Sequence, residues 1–465
     1  MEPVKNIPAE PFAIDMPKGI ETVLNTLQKA GYQAVLAGGC VRDALKGDRP
    51  HDFDIATSAR PEEVMALFEK TIPTGARHGT VTVVQDGEMA EVTTFRKEGG
   101  YSDHRHPDAV EFVEDLKEDL ARRDFTINAM AWSPATGLVD PFGGQEDLKK
   151  GIVRAVGDPE KRFEEDALRM FRAFRFAGRY GFEIEPKTRK AIDDKAPLAG
   201  EIAVERVVPE MEAIMKDSPQ IIADMTELLK PWIPQLAIMK ETEQNSIWHY
   251  TDVLHHTLDA LQALPKWDPE SGWAVLLHDA GKPETKQFYG GHDHFKNHAS
   301  ASARIARQVV KDLKLPKKSG EEIVNLVKLH DTFYAPKLIN LYKLRVKHGL
   351  SDESVQKLFN VQEADIQAHT TKDRMQALNA FRDFYEREKN RHPLSLKELK
   401  INGEDVLAKT DLKGREIAEV LERVLKEVIL HPDLNSREGE LQLLEKEAAA
   451  LKREQKNPKA KKASR

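Results

Sequence analysis

The residues best placed to do chemistry are two aspartates separated by one position, Asp52 and Asp54. In extended chain successive side chains alternate, so both carboxylates point to one face and Phe53 points to the other, toward a core. Oxygen ligands paired in this way suit a hard cation. Ahead of them, Ala37-Gly38-Gly39-Cys40-Val41-Arg42-Asp43 leaves an apolar strand (Gln33 to Leu36) through two glycines. Bare backbone N–H groups there would let a phosphate come close. Gly-Gly is common in turns and Asp-x-Asp in exposed loops, but together in this order they predict metal-assisted phosphoryl transfer from a nucleotide.

A third carboxylate, Glu91, falls in the β-rich run Ala90 to Phe95. It is either a further ligand or base beside the aspartates, or a strand glutamate facing solvent. Farther on, Asp166 and Arg169 stand three residues apart, a spacing that puts both on one face of a helix. A surface ion pair is one reading. The other is base recognition: cytosine and adenine both offer an amine donor beside a ring-nitrogen acceptor, which an Asp acceptor and an Arg donor match, whereas guanine and uracil show the inverse pattern.

A second centre is spelled by His278-Asp279 after the helical run Trp273 to Leu277, with His256 on an earlier helix and His298, His330 and Asp365 farther along. The set resembles the HD phosphohydrolase domain, and the resemblance implies one or two divalent metals at His256, His278, Asp279, His298, His330 and Asp365. Mixed imidazole and carboxylate ligands suit Mn, Ni, Fe or Co, and metal-activated water would attack a phosphate ester. A fold that has lost turnover is the alternative. His249, His255, His292 and His294 are rivals nearby in sequence; His256 is preferred over His255 by its place in Val-Leu-His-His-Thr-Leu.

The elements that must hold these residues follow from periodicity. Ile20, Val23, Leu24 and Leu27 mark a helix from Gly19 to Ala30, closed by Gly31. A helix opens at Arg60-Pro61, and strands over 80–84 and 90–95 flank a turn at 85–88. Lys97 to Asp108, with His104 and His106, reads as a mobile loop facing nucleotide or RNA. Arg122 to Ala131 reads as a short helix on the sheet, and no strand is expected after Val156. The fold class is therefore α+β, a small mixed-sheet head followed by helices.

The chain has 465 residues, 40% of them hydrophobic and 32% charged, enough for several cores. No apolar run could cross a bilayer and the first residues, Met1 to Pro17, do not form a secretory signal, so no membrane partner is expected. One cysteine, Cys40, excludes a disulfide framework and points to the cytoplasm. The net charge of −7 disfavours non-specific nucleic-acid binding overall. Local basic groups run the other way: Arg169, Arg172, Arg175 and Arg179 at helical spacing, and a basic end carrying Lys452, Arg453, Lys456, Lys459, Lys461, Lys462 and Arg465.

LAGGCVRDAL, HDFDIAT, EVTTFR, RRDFTINAMAW, VDPFGGQEDL and RFEEDALRMFRAFRFAGRYGF, in this order, resemble the successive motifs of class II tRNA nucleotidyltransferases and bacterial poly(A) polymerases. The resemblance implies a nucleotidyltransferase head (1–150), a neck (151–240), an HD-type helical body (241–370) and a helical tail (371–465). It makes Asp52 and Asp54 the Mg2+ ligands and assigns Gly38, Gly39 and Arg42 to the triphosphate. Arg123, Asp124 and Asn128 would line sugar and phosphates, Asp166 and Arg169 would read the base, and Arg172 would lie near triphosphate or primer. It also makes the loop after Phe95 the family's flexible loop, involved in the change from C to A addition. The tail segments 396–406, 413–417 and 432–437 are similar to bacterial CCA-adding enzymes. The expected partners are a tRNA 3′ end, CTP and ATP; no feature marks a protein partner. Rival expectations are A-only or poly(A) addition, an HD phosphohydrolase whose head only grips RNA, and a silent RNA-binding factor.

Overall fold

The computed structural model describes residues 12–99, 109–245 and 251–456. His104, His106, His249, Lys459, Lys461, Lys462 and Arg465, and most of the stretch before Pro17, lie outside them. The chain forms two compact units, Met1–Ile238 with Asp312–Lys314, and Met239–Lys311 with Leu315–Arg465.

The first unit is built on one sheet. Its strands are β1 (Ala34–Ala37), β2 (Asp54–Thr57), β3 (Thr71–Gly75), β4 (Thr80–Gln85) and β5 (Glu88–Thr94); a separate hairpin, β6 (Arg96–Gly99) and β7 (Ala109–Phe112), follows. β8 (Ala131–Ser133) and β9 (Gly137–Val139) complete the seven-stranded order β3-β4-β5-β2-β1-β8-β9. All its pairings are antiparallel except β2 with β5, where Asp54 lies opposite Glu91. Val35, Ala37, Ala56, Phe95, Leu120, Ala129 and Ala131 form a buried cluster behind the site. Helix Lys18–Lys29 buries Ile20, Val23, Leu24 and Leu27, the apolar stripe of its sequence.

Four local expectations change. Lys97 to Gly99 belongs to β6, and the rest of that stretch, residues 100–108, lies outside the described residues. Arg122 to Ala131 is no continuous helix: it is extended at Phe125, makes one 3₁₀ turn over Thr126–Asn128 and enters β8 at Ala131. The cause is local competition for backbone groups. Asp124 accepts the Phe125 N–H at 2.8 Å, and the backbone at Asp124 and Thr126 pairs with Val156 and Arg154 instead of with itself. Strands also occur after Val156. β10 (Ile152–Val153) pairs in parallel with β11 (Glu183–Ile184), and β12 (Gln287–Tyr289) pairs with β13 (His292–His294) across Gly290-Gly291, both at positive φ. Two glycines of that conformation make a hairpin turn that charged flanking residues hid from a hydrophobic pattern.

The fourth change concerns Asp166 and Arg169, which do not share one continuous helix. One helix runs Pro159–Glu165, the next Leu168–Tyr180, and Asp166 sits between them with extended φ −146° and ψ 100°. Its carboxylate accepts the Leu168 N–H at 3.1 Å, closing the start of the second helix.

Among the described residues the second unit is helical apart from β12 and β13. Val253–Gln262, Pro269–Leu277, His298–Asp312, Lys317–Leu329 and Asp352–Ala368 surround a core that contains Trp273, Leu276, Leu326 and Phe359. Helices Gly403–Lys409, Arg415–Leu430 and Arg437–Lys456 form its last part.

Candidate functional site

Gly38 turns the chain from β1 into helix Gly39–Leu45 at φ 82° and ψ −128°, a conformation open essentially to glycine. The turn brings backbone to the floor of a cavity of about 420 Å3 that is lined by Gly38, Gly39, Arg42, Asp54, Arg123, Asn128, Asp166, Arg169 and Arg172, among others. Arg42 is buried and held from several sides. It donates to Asn128 Oδ1 and, at 2.9 Å, to Asp43, and its guanidinium lies over the rings of Phe176 and Tyr180. Asn128 in turn donates to Asp124 at 3.0 Å. Asp124 does not face the cavity as a free acid: Arg172 binds its Oδ2 through Nε and Nη2, each at 2.8 Å. Burial alone would raise the Asp124 carboxyl, but Arg172 and the Asn128 amide outweigh it and hold it at about 2.

Asp54 opens β2 at the cavity, while Asp52 lies in the exposed chain before the strand and Phe53 between them is buried. Parallel register puts Glu91 beside Asp54. Withdrawal from bulk water raises the Asp54 carboxyl; Arg123 works against this, and Glu91 and Asp52 add to it. Three carboxylates repelling one another beside the glycine turn are a donor set that hard divalent cations fit. Among the described residues, ligand atoms drawn within 4.8 Å of one another in groups of three occur in the second unit only, so the head acids are neighbours rather than a closed cage.

The base-reading candidates are fixed by groups absent from the sequence reading. Arg206, on helix Val204–Asp217, donates to both oxygens of Asp166, at 3.0 and 2.8 Å. With the Leu168 N–H on Oδ1, this leaves acceptor capacity on Oδ2. Arg169 donates to Glu165 at 2.9 Å and to the carbonyls of Arg162 and Arg122, which fixes its plane. Arg175 pairs with Glu210, which also lies 3.8 Å from Arg172. Arg206 lies 40 residues beyond Asp166, and Glu210 35 beyond Arg175, and neither carries a spacing signal that links it to the motifs.

In the second unit His256, His278, Asp279, His298, His330 and Asp365 converge. His256 Nε2 is 3.0 Å from Asp365, His278 Nε2 is 3.1 Å from Asp279, and His298 and His330 lie 3.5 and 3.9 Å from the other Asp279 oxygen. The sequence reading missed His369, whose Nε2 is 3.4 Å from Asp365 and whose ring stacks on His256, and Lys282, 2.6 Å from Asp279. Spacing of four from Asp365 was the available signal for His369. His255 is not in the cluster; it pairs with Asp252 at 2.6 Å.

The imidazoles are oriented as metal ligands are. His278, His298 and His330 each direct Nδ1 at a backbone carbonyl three residues earlier, Val275, Phe295 and Val327, at 2.7, 2.9 and 2.7 Å. Donation there leaves each Nε2 as an acceptor aimed inward. Two such atoms, on His298 and His330, face each other at 3.2 Å, an arrangement that a cation between them relieves. Asp279 Oδ2 and His278 Nε2 are buried without a well-aligned hydrogen bond. The residues therefore fit a divalent metal centre. Burial disfavours charge on His278, but with no cation bound Asp279 and Asp365 outweigh it and hold the ring at about 10, so a metal at Nε2 would take the place of a proton there. Burial and the neighbouring histidines push His330 down to about 4.

Three families match parts of this chain: the poly(A) polymerase head domain over residues 34–154, the probable RNA- and SrmB-binding site of polymerase A over 181–239, and the HD domain over 253–372. Sheet, glycine turn and acids thus lie within a polymerase-type head, in one chain with an HD domain. A crystal structure of the Bacillus stearothermophilus CCA-adding enzyme in complex with CTP is similar at 31% identity and TM-score 0.69, over 94% of this chain and 100% of that one. The chain belongs to the CCA-adding enzyme family. The CCA-adding enzyme of Lactobacillus helveticus is 58% identical over 188 residues, and that of Geobacillus thermodenitrificans 43% over 273. These matches cover 40% and 57% of this chain, and 47% and 64% of the relatives' own length. A Thermotoga maritima CCA-adding enzyme complexed with tRNA, at 22% identity and TM-score 0.55 over 93% of this chain and 94% of its own, shares the fold.

Proposed function

We propose that the protein adds CMP and then AMP to the 3′ end of tRNA without a nucleic-acid template. The observation that carries this is one cavity of the first unit bounded by a phosphate turn, by Asp54 in register with Glu91, and by an Asp166 acceptor beside an Arg169 donor. Gly38, Gly39 and Arg42 take the triphosphate; Asp166 and Arg169 select cytosine and adenine by their amine edge. Arg123 and Asn128 support sugar and phosphates, with Asp124 and Arg172 holding Asn128 in place. Mg2+ held by Asp52 and Asp54 would supply the positive charge that acidifies the tRNA hydroxyl and steadies the leaving group. The 3′ oxygen bonds to the α-phosphorus, the bond to pyrophosphate breaks, and the hydroxyl proton passes to solvent. Glu91 keeps Asp54 in a strongly negative setting.

Labelled tRNA ending before CCA, given CTP alone, ATP alone or both, tests this reading. Incorporation of C from CTP alone and of A only after C is expected; incorporation of ATP alone would instead indicate A-only or poly(A) addition. Asp52→Ala with Asp54→Ala should abolish addition.

The inward-aimed imidazoles support a second activity at the HD centre, hydrolysis of a phosphate ester by metal-activated water. Water oxygen bonds to phosphorus, the ester bond breaks, and the leaving alcohol takes a proton. Mn2+, Ni2+, Fe2+ or Co2+ suits the ligands. Domain limits of 1–150, 151–240, 241–370 and 371–465 describe head, neck, body and tail, and a cytoplasmic location agrees with the single cysteine. Among the described residues no helix is long and apolar enough to cross a membrane.

A further inference from the structure

Arg172, Phe176 and Tyr180 follow one another at intervals of four along helix Leu168–Tyr180, so their side chains share one face. That face meets helix Gly39–Leu45 at Arg42. The Phe176 and Tyr180 rings are stacked, with centroids 6.2 Å apart and planes 3° from parallel. The Arg42 guanidinium carbon stands 5.1 Å from the first centroid and 5.2 Å from the second. Arg172 and Arg175 reach the same Phe176 ring at 5.3 and 4.6 Å. Three guanidiniums that keep their charge at every working pH repel one another here. The negative face of an aromatic ring offsets that repulsion and leaves their N–H groups free for other partners.

Hydrogen bonds fix the edge of Arg42 separately. Its Nε and Nη2 reach Asp43 Oδ1 at 2.9 and 2.8 Å, and Nη1 donates to Asn128. With three of its five N–H groups engaged, two remain for a ligand. The Tyr180 hydroxyl donates to the same Asp43 oxygen at 3.1 Å, from 137 residues farther along the chain. Burial raises that hydroxyl above its ordinary value, so it stays protonated and remains a donor. Hydrogen bonds thus orient the guanidinium within its plane, and the two rings oppose its tilting out of that plane. Phe176 belongs to the cavity lining, whereas Tyr180 acts from outside it.

We infer that Phe176 and Tyr180 are positioning residues for the triphosphate of the incoming nucleotide, acting through Arg42. The helix that carries Arg169 thereby also aims the cation beside the glycine turn, so that base and triphosphate are held by groups set on one rigid element. In this assignment neither ring reads the base: their effect falls on the β- and γ-phosphates and leaves the choice between bases alone. The inference rests on Arg42 taking the triphosphate, as proposed above.

The test follows addition of labelled CMP to tRNA ending before CCA by the full chain. KM for CTP reads the whole triphosphate, while inhibition of the same reaction by CMP reads base, sugar and α-phosphate only. Tyr180→Phe, which removes one hydroxyl and keeps the ring, should raise KM for CTP about fivefold, and Phe176→Leu about tenfold. Inhibition by CMP and the preference for CTP over UTP should keep their parent values in both. Arg42→Lys should itself raise KM for CTP, and adding Tyr180→Phe to it should raise KM by less than about twofold more, because the hydroxyl acts through the lost guanidinium. Weaker inhibition by CMP or relaxed base preference, in step with KM, would mean that the helix has shifted as a whole and overturns the assignment. Parent KM in Tyr180→Phe, or full additivity with Arg42→Lys, overturns it as well. Parent KM in Arg42→Lys refutes the triphosphate reading and takes the inference with it, whereas a raised KM there beside parent KM in Tyr180→Phe refutes the positioning role alone.

Discussion

Replacing Gly38 and Gly39 one at a time separates backbone conformation from space. At Gly38 the backbone has φ 82° and ψ −128°, and an added Cβ would stand 2.6 Å from Arg123 Nη1. The guanidinium end is flexible and can move, but the conformation itself costs a side-chain-bearing residue about 1–3 kcal/mol. For a unit of this size that lowers Tm by roughly 2–12 °C. Gly39 has no such constraint. It begins the helix, its added Cβ would meet Arg42 Nη2 at 3.5 Å, and alanine is favoured over glycine in helix by up to about 1 kcal/mol. Gly38→Ala should therefore lose thermal stability in calorimetry, and Gly39→Ala should not. In single-turnover addition of labelled CMP to tRNA lacking CCA, Gly38→Ala should also slow by about 100-fold, because a shift of about 1 Å in Arg123 misplaces the triphosphate. Parent-like melting and turnover for Gly38→Ala would refute the assignment of this turn.

Asp124 titrates near 2 in the folded chain against 3.8 ordinarily, so its carboxylate contributes about 2 kcal/mol at pH 7. Because the folded value is the lower one, this stability is present above about pH 4 and is lost as pH falls toward 2. Asp124→Asn should unfold at lower urea than the parent at pH 7, with the gap closing at pH 2; a constant gap would contradict the ion-pair account. Arg206→Ala frees Asp166 from two hydrogen bonds and should cut preference for CTP over UTP by about tenfold, read by competitive incorporation. Stripping the second unit with a chelator should lower its melting temperature, and Mn2+ or Ni2+ at 100 times Kd should restore about 2.7 kcal/mol; no response to any divalent ion would reject the centre.

Much of this was legible because the relevant signals are local. Asp52-Phe53-Asp54 announces its own alternation, helix Lys18–Lys29 shows its stripe, and Asp86-Gly87 marks its hairpin. Tertiary partners of charged groups were not legible. Nothing near Asp166 points to Arg206, and three-residue spacing suggested one helix where an extended residue interrupts two. Arg122 to Ala131 misled for the same reason: its apolar residues recur as in a helix, yet Asp124 and Thr126 satisfy their backbone elsewhere. In the second unit the histidine–aspartate set was readable through a resemblance, whereas His369, at the C-terminal end of helix Asp352–Ala368, belongs to no motif used in the reading.

The single parallel pairing in the head sheet has a kinetic side. β2 meets β5 across the segment that holds β3 and β4, and β1 is flanked by β8, with Leu36 opposite Trp132 almost a hundred residues later. Loop closure over such distances must precede the contacts that reward it. Asp54 and Glu91 therefore become neighbours only once the loop between β2 and β5 has closed. A nascent or partly unfolded head carries every acidic residue of the site and none of its geometry, so the capacity to gather a cation there reports completed folding of the head.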